Sequence, residues 1–78
     1  MPYNSKTLGL IIGTERVKSG MTQEQLSGLA GISRSHLAAL ECGKKNPRIE
    51  TLWRIAEALC IRPSKLIAMI EKSTEGEE

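Results

Sequence analysis

Few side chains in this chain are of a type that does covalent or metal chemistry: one histidine, His36, and two cysteines, Cys42 and Cys60. The cysteines lie far apart and outside any CxxC spacing, and a single imidazole gives them no partner set. Neither a zinc site nor a disulfide framework is written here. No nucleophile and base pair, metal cluster or Gly-rich phosphate loop is visible, so His36 has no recognisable orienting partner and an enzyme is the least supported reading. What the chain offers instead is hydrogen bonding and charge. Thr22, Gln23, Arg34, Ser35 and His36 fall in one stretch, followed by Lys44, Lys45, Asn46 and Arg48. A guanidinium can bond both acceptors on a guanine edge, a hydroxyl can bond a base or a phosphate, and a run of cations can follow a sugar-phosphate backbone. That is the chemistry of nucleic-acid binding.

Such residues act together only if something holds them in order, and the segment GMTQEQLSGLAGISRSHLAALECG, residues 20–43, carries the punctuation to do so. Gly20 closes one helix, Thr22 caps the next, and Gln25, three residues on, completes a capping box. Leu26 and Leu29 give one turn of apolar spacing before Gly31, which supplies the positive φ of a sharp reversal. Ser33 caps a second helix. Leu37 and Leu40, with Cys42, mark its buried side until Gly43 ends it. Two short helices joined by a tight turn make a helix-turn-helix, over about residues 22–42, whose second helix is the one such motifs offer to the major groove. On that helix Arg34, Ser35 and Ala39 lie opposite the leucines. Arg34 is the expected base reader, Ser35 a ligand for base or phosphate, and Ala39 a methyl suited to thymine.

The surrounding elements follow from apolar spacing. A first helix over Lys6 to Lys18, capped by Ser5, turns Leu8, Ile11, Ile12 and Glu15 or Arg16 inward. Gly9 and Gly13 lower its propensity by about 1 kcal/mol each relative to alanine and allow close packing. Leu52, Ile55, Ala56 and Leu59 define a fourth amphipathic helix from about Ile49, and Pro63 opens a fifth with Leu66, Ile67 and Ile70 on its apolar side. The expected architecture is all-α, five helices in one domain over residues 1–72, with residues 73–78 an acidic, disordered tail. Ten of the eleven Lys and Arg residues precede residue 71, whereas four of the nine acidic residues follow residue 70, so the domain is basic and the tail acidic. Aromatic residues are only 3% of the chain, with no Phe, which leaves an aliphatic core. No apolar run approaches the ~20 residues of a membrane span and no signal stretch opens the chain, so a cytoplasmic protein is expected.

The GMTQEQL, AGIS and LECGKKNP segments resemble the lambda-repressor-like, or XRE-type, DNA-binding family of bacteria and phages, from about Leu8 to about Met69. The resemblance implies a five-helix lambda-repressor-like domain in which positions matching Arg34, Ser35 and Ala39 make most base contacts. It gives Gln23 a phosphate at the start of the second helix, where it can also steady the first residue of the recognition helix. Lys44, Lys45, Asn46 and Arg48 then lie along the DNA backbone. Thr22 and His36 join that backbone set, His36 with a plain surface role as its rival. Arg16 and Glu41 fill positions that form a buried ion pair in the family, a structural role. Two positions depart from the pattern. Gly13 stands where relatives carry a basic residue facing phosphate, and Cys60 where they carry a glycine in a left-handed helix cap.

The expected function is sequence-specific binding of double-stranded DNA to regulate transcription, with no cofactor and no metal. Stand-alone domains of this length resemble restriction-modification controller proteins. One domain makes few base contacts, so a homodimer on a palindromic operator is expected, with Trp53, Ile67 and Ile70 as its candidate interface. Two rivals use the same fold: an antitoxin that binds a toxin and autoregulates its operon, revealed by a co-purifying small protein, and an interaction module without DNA binding, revealed by a featureless DNA titration at low salt.

Overall fold

Each of the first four helices ends in the same left-handed turn. The computed structural model describes residues 3–75, and its five helices are α1 (Ser5–Lys18), α2 (Gln23–Ala30), α3 (Arg34–Glu41), α4 (Ile49–Ala58) and α5 (Pro63–Glu75). Gly20, Gly31 and Gly43 close α1, α2 and α3 with φ of 73°, 74° and 75°, and Cys60 closes α4 with φ of 60°. In each case the left-handed residue donates its N–H three residues back, and the next residue donates to the carbonyl five before it, as Gly43 to Leu40 and Lys44 to Ala39. Carbonyls that would otherwise be orphaned at the helix end are thereby satisfied. Cys60 is the one non-glycine residue with positive φ among those described.

The helix starts are equally local. Thr22 Oγ1 accepts from the Gln25 N–H at 3.0 Å while Gln25 Oε1 accepts from the Thr22 N–H at 2.9 Å, and Ser33 Oγ accepts from the His36 N–H at 3.0 Å. At α1 the cap is Asn4, not Ser5: the Asn4 side chain accepts from the N–H groups of Lys6 and Thr7. Ser5 is freed for another task, donating its hydroxyl to the Gly43 carbonyl at 3.1 Å and tying the start of α1 to the end of α3.

The core draws on every helix. Leu8 and Ile12, Leu26, Leu37 and Leu40, Ile55, and Leu66 are fully buried, and all are aliphatic. α3 lies between α1 and α2, while α4 packs on α2 and α5, and α5 returns to α1. Three further expectations change. Leu29 is 66% exposed, because α2 turns Leu26, Ser27 and Ala30 inward. Cys42 lies exposed at the C-cap of α3 and not on its buried side. Helix α5 runs on through residues 73–75, where a disordered tail was expected; residues 76–78 of that tail lie outside the described residues. Among the described residues no helix is long and apolar enough to cross a membrane.

Candidate nucleic-acid interface

At about 100° per residue, the 0% exposure of Leu37 and Leu40 fixes which way α3 faces. Exposed Ser35 and Cys42 lie on the opposite arc, flanked by half-buried Ala38 and Ala39, and exposed Arg34 stands at the edge of that arc, about 90° from the leucines. Arg34 makes no side-chain bond to another described residue, and Ser35 Oγ lies 3.3 Å from Ser33 Oγ. His36 is half-buried on the flank between core and open face. The first turn of α3 holds no acidic residue, so its unsatisfied N–H groups and Arg34 add positive potential at one end of a bare, small-residue face. A cation at a helix N-terminus is mildly unfavourable by itself, and a polyanion laid against it removes that cost.

Behind this face stands a hydrogen-bonded cluster. Arg16 Nε donates to Glu41 Oε2 at 2.7 Å, a second guanidinium nitrogen donates to Glu41 Oε1 at 3.0 Å, and the third donates to the Met21 carbonyl at 2.8 Å. The pair is largely sheltered, with side chains 16% and 9% exposed. Hydrogen bonding to Glu41 holds the Arg16 guanidinium above its ordinary pKa, against the opposing pull of burial. Gln23, placed by the Thr22 capping box at the first turn of α2, donates from Nε2 to Glu41 Oε1 at 3.1 Å. Gln23 therefore meets the C-terminal end of α3, and its amide is not bonded to Arg34 at the N-terminal end. A Cβ on Gly13 would lie 3.3 Å from Glu41 Oε1, so that position borders the ion pair.

Lys44, Lys45, Asn46 and Arg48 are all exposed in the loop that leaves α3. The structure adds Lys6 to them: a Cβ at Gly43 would come within 2.9 Å of the Lys6 Cα, so the first turn of α1 abuts the start of the loop. Sequence spacing gave no sign of this, since the two segments meet only through the fold. Ala38 carried a signal that was legible, being four residues after Arg34 and so on the same face. Because α3 is only 8 residues long, the start of α2, the open face and the basic loop all fall within about 12 Å along it.

Of the expected dimer residues, Trp53 and Ile67 are 52% and 42% exposed, whereas Ile70 is 7% exposed and belongs to the core of the single chain. Ile70 follows Leu66 by one helical turn, and both face inward. No group of three or more His, Cys, Asp or Glu residues converges among the described residues.

The helix-turn-helix family model matches residues 12–66, which spans α2, α3, α4 and the basic loop. The chain is 31% identical over 71 residues to an HTH-type transcriptional regulator of Sinorhizobium fredii, covering 91% of this chain and 92% of that one. It is 39% identical over 61 residues to the immunity repressor protein of Bacillus phage phi105, covering 78% of this chain and 42% of the repressor. The crystal structure of the restriction-modification controller protein C.AhdI from Aeromonas hydrophila superposes with a TM-score of 0.77 at 31% identity, over 80% of this chain and 94% of that one. Matching in sequence through the motif and in fold over four-fifths of its length, the chain belongs to the XRE-type helix-turn-helix family of transcriptional regulators.

Proposed function

We propose that this regulator binds a palindromic operator in double-stranded DNA as a homodimer, each protomer laying the outer face of α3 in the major groove. The observation that carries this reading is the composition of that face: one free, exposed Arg34 on a surface otherwise made of Ser35, Ala38, Ala39 and Cys42. Small side chains let a helix approach base edges closely, and the lone guanidinium supplies a guanine contact. Ser35 adds a polar contact and Ala39 a methyl surface. Thr22 and Gln23 at the start of α2 together with Lys44, Lys45, Asn46 and Arg48 in the loop near the end of α3, and His36 near the start of α3, hold the phosphate backbone, with Lys6 as a further cation beside the loop. Exposed Trp53 and Ile67 are the apolar surfaces offered to a second protomer, which supplies the second half-site. The likeness to a phage immunity repressor supports repression by occupancy of promoter DNA. Such a protein works in the cytoplasm, where the DNA is. Selection of bound sequences from a random duplex pool is the test: an inverted repeat with guanine at symmetric positions is expected, and failure to enrich any sequence overturns the reading.

A further inference from the structure

Glu41 does more than neutralise Arg16. Its Oε1 accepts two hydrogen bonds, from Arg16 at 3.0 Å and from Gln23 Nε2 at 3.1 Å. An ionised carboxylate accepts only, so the nitrogen side of the Gln23 amide must face it, and the orientation of that amide is settled by chemistry. Arg16 in turn leaves the carboxylate no freedom, since Nε holds Oε2 at 2.7 Å and a further guanidinium nitrogen is anchored on the Met21 carbonyl. One N–H of the amide is spent on Glu41, and the other has no partner among the described residues.

We propose that Glu41 is a positioning residue for DNA binding: locked by Arg16, it fixes the Gln23 amide so that the second N–H is presented to a DNA phosphate. The proposal rests on the DNA-binding reading above. It gives the ion pair a part in recognition, because the atoms that join α1 to α3 also aim a donor from α2. A donor already held needs no ordering when the duplex arrives, which lowers the entropic cost of the contact.

The test is a double-variant cycle read by anisotropy on a short mixed-sequence duplex, with thermal melts correcting for folded fraction. Gln23→Met removes the amide at nearly constant shape and should weaken binding about tenfold, the scale of one hydrogen bond to a charged group. Glu41→Asp draws the carboxylate back and should weaken binding several-fold when Gln23 is present and not at all in the Gln23→Met background. Neither change should alter the salt dependence, because a neutral amide releases no counterion. An equal loss from Glu41→Asp in both backgrounds, or wild-type binding by Gln23→Met, overturns the proposal. Should Glu41→Asp fail to fold, the wild-type Gln23 side-chain amide signals decide. On titration with the duplex one proton should shift and the other stay with Glu41; movement of both together overturns the proposal. Absence of any wild-type binding to DNA is a different failure, and sinks the regulator reading itself.

Discussion

Gly9 sits so close to Leu40 that a methyl group on it would lie 2.5 Å from the Leu40 carbonyl oxygen, and equally close to that of Glu41. Helices α1 and α3 therefore meet backbone to backbone at the end of the recognition helix. Gly9→Ala should destabilise the domain by about 1 to 3 kcal/mol, because overpacking outweighs the better helix propensity of alanine. Gly28 in α2, where an added methyl would have nothing within 4 Å, is the control, and Gly28→Ala should gain about 0.5 to 1 kcal/mol. Thermal melts of the two variants should move in opposite directions.

Arg16→Ala and Glu41→Ala should each cost about 3 kcal/mol, since each strands a sheltered charge. Arg16→Lys should recover little of this, as the single nitrogen of an ammonium does not reproduce the planar fork whose three nitrogens each meet a separate acceptor. Losses under about 1 kcal/mol in the single variants would refute the role given to the pair. The stability tied to the charged guanidinium is fully present below its unfolded-state pKa and is lost only as pH rises through the raised folded value. Alkaline titration within the ordinary range should accordingly leave the pair intact.

Arg34→Ala should keep the fold and lose about 1 to 3 kcal/mol of discrimination per half-site at one symmetric pair of operator positions. Binding of wild type and variant to a panel of single-base operator changes measures this. A loss that is equal on every duplex would make Arg34 a phosphate contact, with specificity coming from Ser35, Ala39 or DNA shape.

Lys45→Ala and Arg48→Ala should weaken binding to all duplexes alike and flatten the dependence of affinity on salt by about one counterion each. Lys6→Ala should do the same through its place beside Gly43. A salt series on operator and scrambled duplex separates these variants from Arg34→Ala, and an unchanged slope would return the residue to the solvated surface.

Cys60→Gly should stabilise the domain by roughly 1 kcal/mol, because a side chain at a φ of 60° carries a steric cost that glycine lacks. For a domain of this size that is a rise of about 4 to 8 °C in Tm, less whatever glycine gives back through the freedom of the unfolded chain. A lower Tm would mean that the thiol makes a stabilising contact.

The parts of the fold that were legible in the sequence are those set within five residues. The Thr22 and Gln25 box, the Ser33 cap, the glycine stops and the inward Leu37 and Leu40 all depend on nearest-turn geometry. Leu29 and Ile70 show where this ends, since helical spacing identifies an apolar stripe but not which neighbour covers it. Leu29 shares its stripe with Leu26, yet it stays exposed at the rim of the groove between α2 and α4. Asn4 won the cap because its carboxamide reaches two N–H groups, and Ser5 had a distant partner in Gly43 that spacing does not reveal. The same holds for the site. Arg34 and the basic loop were readable as exposed cationic chemistry, whereas the Gln23 bond to Glu41 exists only where α2 meets α3, and the approach of Lys6 to Gly43 only where α1 meets the end of α3.

The open face of α3 bears on how such a regulator changes its target over time. Ser35, Ala38, Ala39 and Cys42 contribute nothing to the set of fully buried side chains, while Leu37, Leu40 and Glu41 fasten the same helix from behind. In the DNA-binding role proposed above, exchanging exposed Ser35 or Cys42 for Gln, Asn, Lys or Arg would rewrite the hydrogen-bonding pattern offered to the groove with a stability change typical of surface sites, within about 0.5 kcal/mol. Operator preference is thus free to diverge between duplicated copies of the gene while the scaffold stays under its own separate selection.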